Sequence, residues 1–226
     1  MAAAPSISDH ATAADQRQHR GFGPRVRRLH ARIGKAHHQA EGMAFSRALL
    51  ASEATPLQLA ALIRALAPAY ALLEREAPLQ AAALGALSLP WSDLARSAAL
   101  AHDCALLAAL PATPASPAAA AWLERLQELA RVAPHRLMAH VYMRYGGDLS
   151  GGQQLAAQAQ HILAAHGLPA LSFWEFSADL PRLKQQLHQG FEELDLSPEE
   201  EEELLEECEL AFQATQRLLA ELSSLA

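Results

Sequence analysis

Between Arg144 and Gln153 the chain reads Arg-Tyr-Gly-Gly-Asp-Leu-Ser-Gly-Gly-Gln, four glycines set into a stretch whose flanks are patterned as α-helix. A glycine inside a helix costs about 1 kcal/mol relative to alanine, because its backbone loses the most freedom on folding. The four together forgo about 4 kcal/mol of local helix stability. Something must approach that backbone closely, and any fold for this chain has to bring it there.

The remaining sequence favours helices. Of 226 residues, 51% are hydrophobic, enough to build a substantial core in one large domain. Leucine and alanine dominate, aromatic residues make up 5% and β-branched residues are scarce, a composition that packs helices side by side rather than sheets. The expected class is all-α, a single domain of many helices. No uninterrupted apolar run reaches the roughly 20 residues of a membrane span, and the N-terminus lacks the basic start and apolar stretch of a secretory signal. A soluble, cytoplasmic protein with no membrane partner is expected. Cys104 and Cys208 are too few for a disulfide framework and are read as reduced thiols, a structural disulfide being the lesser reading.

The formal net charge of -7 argues against general nucleic-acid binding, yet the charge is unevenly placed. From Arg17 to Arg47 there are seven arginines and one lysine against Glu41 alone, so the N-terminal third reads as a basic surface. Glu192 to Glu209 holds eleven carboxylates and no basic residue, and reads as a solvated helix start.

Turn and cap signals divide the chain. Residues 1–22 are small and polar without periodicity and are expected to be a mobile extension, leaving 23–226 as the domain. Helical patterning runs from Pro24 to about Leu50 with an interruption near Gly42. Thr55-Pro56 opens a helix that can kink at Pro68 and ends near Glu76; Leu89-Pro90 starts one that runs to about Leu110; Ser116-Pro117 caps one that reaches about Val132. The segment Pro134 to His166 reads as one long helix with the glycines in its middle. A shorter helix is expected from Ala178 to Phe191, and a last one from the capping box at Ser197-Pro198-Glu199-Glu200. Seven or eight helices result.

A phosphate loop would need a strand before the glycines and Gly-Lys-Ser/Thr after them, and neither is present. Close crossing of two helices at small residues stays open. Four glycines around Asp148, preceded by Tyr142, Arg144 and Tyr145, fit better a backbone laid against a flat ligand, with polar groups aimed past it. The run Tyr142-Met143-Arg144-Tyr145-Gly146-Gly147-Asp148-Leu149-Ser150-Gly151-Gly152-Gln153 closely resembles the signature of biliverdin-producing heme oxygenases. His37-His38-Gln39-Ala40-Glu41 is similar to that family's proximal segment, and the resemblance extends from about Arg27 to Leu222. It implies heme sandwiched between a proximal helix and a kinked, glycine-rich distal helix.

The resemblance also implies roles. His37 would ligate the heme iron. Alone, a helical histidine is most often a surface or satisfied core residue, but Glu41 lies four residues on, on the same face, and can accept the Nδ1 proton while Nε2 stays free for iron. His38 points about 100° away from His37. Gly147, Gly151 and Gly152 would leave room above the iron, with the backbone at Gly147 touching the ligand. Asp148, which in isolation could simply cap a helix kink, would anchor ordered waters that deliver protons, with Arg144 and Tyr70 in the same network. Phe212 would line the apolar pocket. The family commonly holds the heme propionates with a Tyr, a Lys and an Arg on the distal side and a Lys before the proximal histidine. Tyr142 and Lys184 match, whereas His188 and His30 stand at the Arg and upstream Lys positions. Both replacements are shorter and only partly charged near neutral pH, which loosens the in-plane seating of heme and leaves cleavage at the α-meso carbon less firmly set. Arg27, Arg28 or Arg32 could compensate.

Heme would then be both substrate and cofactor, consumed with dioxygen to biliverdin, carbon monoxide and ferrous iron. The chain has neither a dinucleotide fingerprint nor a cysteine cluster for an iron-sulfur centre, so electrons must come from a partner. An acidic ferredoxin or flavodoxin, or a reductase, is expected to dock on the basic surface around the proximal helix by charge complementarity. The alternative on the same fold is a non-catalytic heme carrier or sensor, which would have no need for an open distal pocket beside Asp148. A purely helical interaction module would leave His37 and the glycine motif without roles.

Overall fold

The computed structural model describes residues 22–225, so all but the last residue of the expected N-terminal extension lies outside the described residues. Among the described residues there are ten α-helices and no strand: α1 (Pro24–Glu41), α2 (Ala44–Leu50), α3 (Pro56–Ala83), α4 (Trp91–Leu94), α5 (Ser97–Leu106), α6 (Pro117–Val132), α7 (Pro134–Asp148), α8 (Gly152–Ala165), α9 (Leu180–Glu192) and α10 (Pro198–Ser223).

The expected starts hold because the caps form. The Thr55 hydroxyl accepts from Gln58 N, that of Ser116 from Ala119 N and that of Ser197 from Glu200 N, each just before a proline in the first turn. Asp179 does the same for α9 through Arg182 N, a cap that the sequence pattern had not separated from the loop before it.

Three boundaries differ from expectation. α3 continues through Pro68 and Pro78 to Ala83 instead of ending near Glu76. Tyr70, Leu73, Ala77 and Ala81 form one buried stripe at helical spacing, and burying it outweighs the backbone bonds that the prolines remove. The stretch from Leu89 to Leu110 is two helices rather than one, because the Glu74 carboxylate of α3 reaches across to accept from Arg96 N, Ser97 N and Ser97 Oγ, capping α5 from outside. The long helix expected over Pro134–His166 is also two, α7 and α8, joined by a turn at 149–151. Leu149 and Gly151 both stay right-handed there, at φ -74°, ψ -13° and φ -66°, ψ -26°. The break is covered by Gln153, whose Nε2 donates to the Asp148 carbonyl at 3.3 Å and to the Trp174 carbonyl at 3.0 Å.

By length and composition α3 is apolar enough to cross a membrane, but 67% of that stretch is buried inside the bundle, where it packs against α5, α6 and α7. It is the core helix. α10 is the second organiser, flanked by α1 on one side and α7 on the other. Its acidic start is not simply solvated. Arg28 Nη1 meets Glu201 Oε1 at 2.8 Å, Arg32 Nη2 meets Glu202 Oε1 at 2.9 Å and Arg32 Nε pairs with Glu209. From α7, His135 Nε2 and Arg136 Nε reach Glu203 Oε2 at 2.7 and 3.1 Å. The two charge-biased segments of the sequence therefore lie across one another.

Candidate functional site

α1 and α7 run in the same direction along α10. Contacts advance together on one side from Arg28 with Glu201 to Ala36 with Gln216, and on the other from His135 with Glu203 to His140 with Glu207. The two flanking helices pack chiefly on α10 rather than on each other. They approach where the His30 and Tyr142 rings lie 6.1 Å apart, edge to face. From that level, His37 lies seven residues on and Gly147 five, rises of about 10 and about 7.5 Å at 1.5 Å per residue. His37 and the glycines thus stand at similar heights on opposite sides of a cleft whose floor is α10.

The cleft is open at the glycines. A Cβ built on Gly146, Gly147 or Gly151 would meet no atom within 4 Å. Gly152 is different. Its Cβ would come within 3.0 Å of Trp174 Cδ1, so this glycine admits a neighbouring indole of the protein itself, the close-packing role that the spacing had left open.

On the α1 side, His37 is half-exposed and its ring lies 6.1 Å from that of Phe212, which α10 contributes to the wall. Its Nδ1 is 3.5 Å from Glu41 Oε1, so Nε2 is the nitrogen left for a ligand. His38, although it leaves α1 in another direction, folds back to place Nδ1 3.6 Å from Glu41 Oε2.

On the α7 side the polar residues converge. The Tyr70 hydroxyl donates to Asp148 Oδ2, Arg144 Nε donates to the same hydroxyl at 3.1 Å, and Arg144 Nη2 lies 3.7 Å from Asp148 Oδ1. Asp148 is only 4% exposed. Burial raises its carboxyl above the ordinary range, opposed by the Arg144 charge, the Tyr70 hydrogen bond and Arg96. Burial also holds the Tyr70 phenol well above its usual value, so it stays a donor.

Several partners in this network were not legible beforehand. Tyr145 donates to Glu74 Oε1 at 3.2 Å, and the Arg144 guanidinium sits 5.8 Å from the centre of the Trp122 ring. Trp122 Nε1 donates to His140 Nδ1 at 3.1 Å. Indole is a donor only, so the His140 proton resides on Nε2, which gives it to Glu207 Oε1 at 3.1 Å. Burial alone would raise the Glu207 carboxyl, but hydrogen bonds from His140 and Arg125 bring it down to about 2. These residues carry no motif spacing; only the bundle unites them.

At the closed end, Tyr142 is 4% exposed and its hydroxyl is buried without a hydrogen-bond partner among the described residues. Its ring packs against those of His30, His188 and Phe191, and Phe22 stacks on His30 at 4.7 Å. Lys184 is half-buried with no ion pair or hydrogen bond among the described residues, and burial lowers its ammonium below the usual lysine range. His188 departs from the expectation of partial charge. Burial, with His30 and Lys184 nearby, pushes its imidazole down to about 4, so it is neutral at pH 7. Nor are the arginines of α1 free to compensate: Arg28 and Arg32 are paired with α10, and Arg27 Nη1 donates to the Phe22 carbonyl.

An orphaned phenol, an unpartnered ammonium, a bare backbone roof and an opposed imidazole fit a flat, dianionic, metal-centred ligand. The comparisons agree. The family model described as "Heme oxygenase" matches residues 26–221. Among curated proteins, heme oxygenase 1 of Bos taurus is 38% identical over 110 residues, 46% of this chain and 37% of the relative, and the heme oxygenase of Rhodella violacea is 31% identical over 105 residues, 46% of this chain and 45% of the relative. These alignments thus span less than half the length of either relative. Among solved structures, heme oxygenase-1 of Synechocystis sp. PCC 6803, crystallised in complex with heme, superposes with a TM-score of 0.81 at 26% identity, covering 88% of this chain and 92% of that one. Heme oxygenase from Leptospira interrogans gives 0.76 at 28% identity, over 85% and 97% of the respective chains.

Proposed function

The chain belongs to the heme oxygenase family, and from that premise we propose that it cleaves heme, with dioxygen and electrons from a protein donor, to biliverdin, carbon monoxide and ferrous iron. The observation that carries the proposal is the buried Tyr70–Asp148–Arg144 network set directly beside the bare backbone of Gly146 and Gly147.

Heme, the substrate, supplies the iron that takes up dioxygen and the meso carbon at which the ring opens. The residues of the chain hold it and manage protons. His37 offers Nε2 to the iron, its ring steadied by Glu41 at Nδ1 and by Phe212 at the wall. Gly147, with no side chain, lets water and a small ligand share the distal face. Asp148 accepts from Tyr70 at one oxygen and faces Arg144 with the other. A carboxyl whose proton affinity is raised by burial can hold and release a proton to water at that face. Tyr70 and Arg144 fix its rotamer, and the Trp122–His140–Glu207 relay fixes Arg144 from behind.

Tyr142 Oη and Lys184 Nζ take the propionates, the first gaining the partner it lacks and the second a counter-charge. His188 adds no charge there at neutral pH. Opening at the α-meso carbon is the principal outcome, held by Tyr142 and Lys184 without a charge from His188. Electrons come from a ferredoxin, a flavodoxin or a reductase at the α1 surface. Arg27, Lys35 and Arg47 have no acidic partner among the described residues and are the cations that an acidic donor would meet. The two cysteines are free thiols, in keeping with a reducing cytoplasm.

The test is to load the apo protein with heme and add a ferredoxin, ferredoxin reductase and NADPH. Loss of the Soret band with growth of bilin absorption and release of carbon monoxide is expected. A Soret band that persists under reductant and dioxygen would mean a heme carrier instead.

A further inference from the structure

His37, His38 and Glu41 converge on the exposed surface of α1, and one ligand atom from each lies within 4.8 Å of the others. His37 Nδ1 lies 3.5 Å from Glu41 Oε1 and His38 Nδ1 lies 3.6 Å from the other oxygen, Oε2. A tetrahedral ion with nitrogen and oxygen ligands at about 2.0–2.2 Å spans edges of roughly 3.3–3.6 Å, so each nitrogen already stands about one edge length from an oxygen of the Glu41 carboxylate. The helix brings this about: Glu41 is one turn from both histidines, at i+4 and i+3. Two imidazoles with one carboxylate suit a borderline transition ion such as zinc. Calcium and magnesium would need a shell of oxygens.

We propose that the heme-free protein binds one zinc-class divalent cation on His37 Nδ1, His38 Nδ1 and the Glu41 carboxylate, with water in the fourth position, and that this cation and heme compete for His37. The competition rests on His37 being the heme ligand. A neutral imidazole has one lone pair for one proton. With Glu41 accepting the Nδ1 proton, Nε2 carries the lone pair and can bind iron; with a cation on Nδ1, the proton moves to Nε2 and that lone pair is gone. Each ligand must then weaken the other by the same factor. Heme admission becomes sensitive to divalent metal supply, and the partner of His37 selects between a porphyrin and a bare ion.

Untagged apo protein is titrated with Zn2+ by calorimetry and with Co2+ by its visible absorption, and heme is then titrated with and without saturating Zn2+. One equivalent of Zn2+ is expected, with His38→Ala weakening it at least tenfold while heme affinity in metal-free buffer stays unchanged. Saturating Zn2+ should lower heme affinity at least tenfold in the wild type and leave it unaltered in His38→Ala. A Zn2+ isotherm indifferent to His38→Ala, or heme affinity indifferent to Zn2+, overturns the proposal. Neither result touches bilin formation in metal-free buffer, so failure here is separable from failure of the oxygenase reading.

Discussion

Tyr70 and Asp148, on α3 and α7 and 78 residues apart in sequence, share a hydrogen bond in the core, and Arg144 donates to the same phenol at 3.1 Å. The bond ties the turn at the end of α7 to the longest helix of the fold. Replacing Asp148 by Ala removes the acceptor and the anion facing Arg144 but none of the groups assigned to hold heme. Heme binding, read from the Soret band, should persist, while the rate of bilin formation in single turnover should fall at least tenfold. Undiminished bilin yield would sink the role assigned to Asp148.

Gly147 and Gly152 should respond in opposite ways to a single methyl group. Gly147→Ala meets open space and gains helix propensity, so the apo protein should be stabilised by about 0.5–1 kcal/mol while bilin formation drops. Gly152→Ala puts its Cβ 3.0 Å from Trp174 Cδ1, and the overpacking should cost about 1–3 kcal/mol. Thermal unfolding of the two apo variants, paired with heme titration, separates ligand clearance from internal packing.

His188 links stability to pH. Its imidazole, normally near 6.5, is held at about 4 in the folded chain, so the unfolded chain binds the proton more readily. The stabilisation is fully present above pH 6.5 and is lost as pH falls from 6.5 through 4. In His188→Gln the apo protein should lose less stability across that window, measured by denaturant unfolding at a series of pH values. An identical slope in both proteins would contradict the burial of this ring.

The same position bears on product identity. His188→Arg places a permanent cation one turn from Lys184, adding a third group for the propionates. Chromatography of the bilins should show a larger share of the α isomer than in the wild type. A share unchanged by the substitution would mean that His188 takes no part in orienting heme.

Glu207 is fully buried and holds His140, Arg125 and Arg136 at once. Glu207→Gln takes the buried anion from Arg125 and Arg136, which keep only partly exposed carboxylates, and the acceptor charge from neutral His140. It should destabilise the protein by about 3 kcal/mol, since breaking one side of a buried ionic cluster costs more than the cluster contributes. Unfolding in guanidinium would show it as a lower midpoint at unchanged slope.

The proline-marked caps at Thr55, Ser116 and Ser197, the helical class and the pairing of His37 with Glu41 were legible because each depends on residues within one turn of each other. What escaped notice depends on residues far apart in sequence. Glu74 caps α5 from another helix, and nothing near Leu89 announces the break it causes. Arg28 and Arg32 look like a basic surface until α10 brings Glu201, Glu202 and Glu209 against them. The glycine run was legible as a place of close approach, but it took packing to show that Gly152 faces Trp174 while Gly146, Gly147 and Gly151 face open space.

Roof and wall of the cleft touch chiefly through α10, and α1 is fastened there by carboxylate–guanidinium pairs of which Arg28 is half exposed and Arg32 a third exposed. Such a seam behaves as a soft hinge strip. Ions in solution screen it, whereas at the junction of α7 with α10 the Glu207 carboxylate that pairs with Arg136 and His140 is buried out of their reach. Escape of a bulky, non-planar product past α1 should therefore quicken with salt even where capture of a charged electron donor slows.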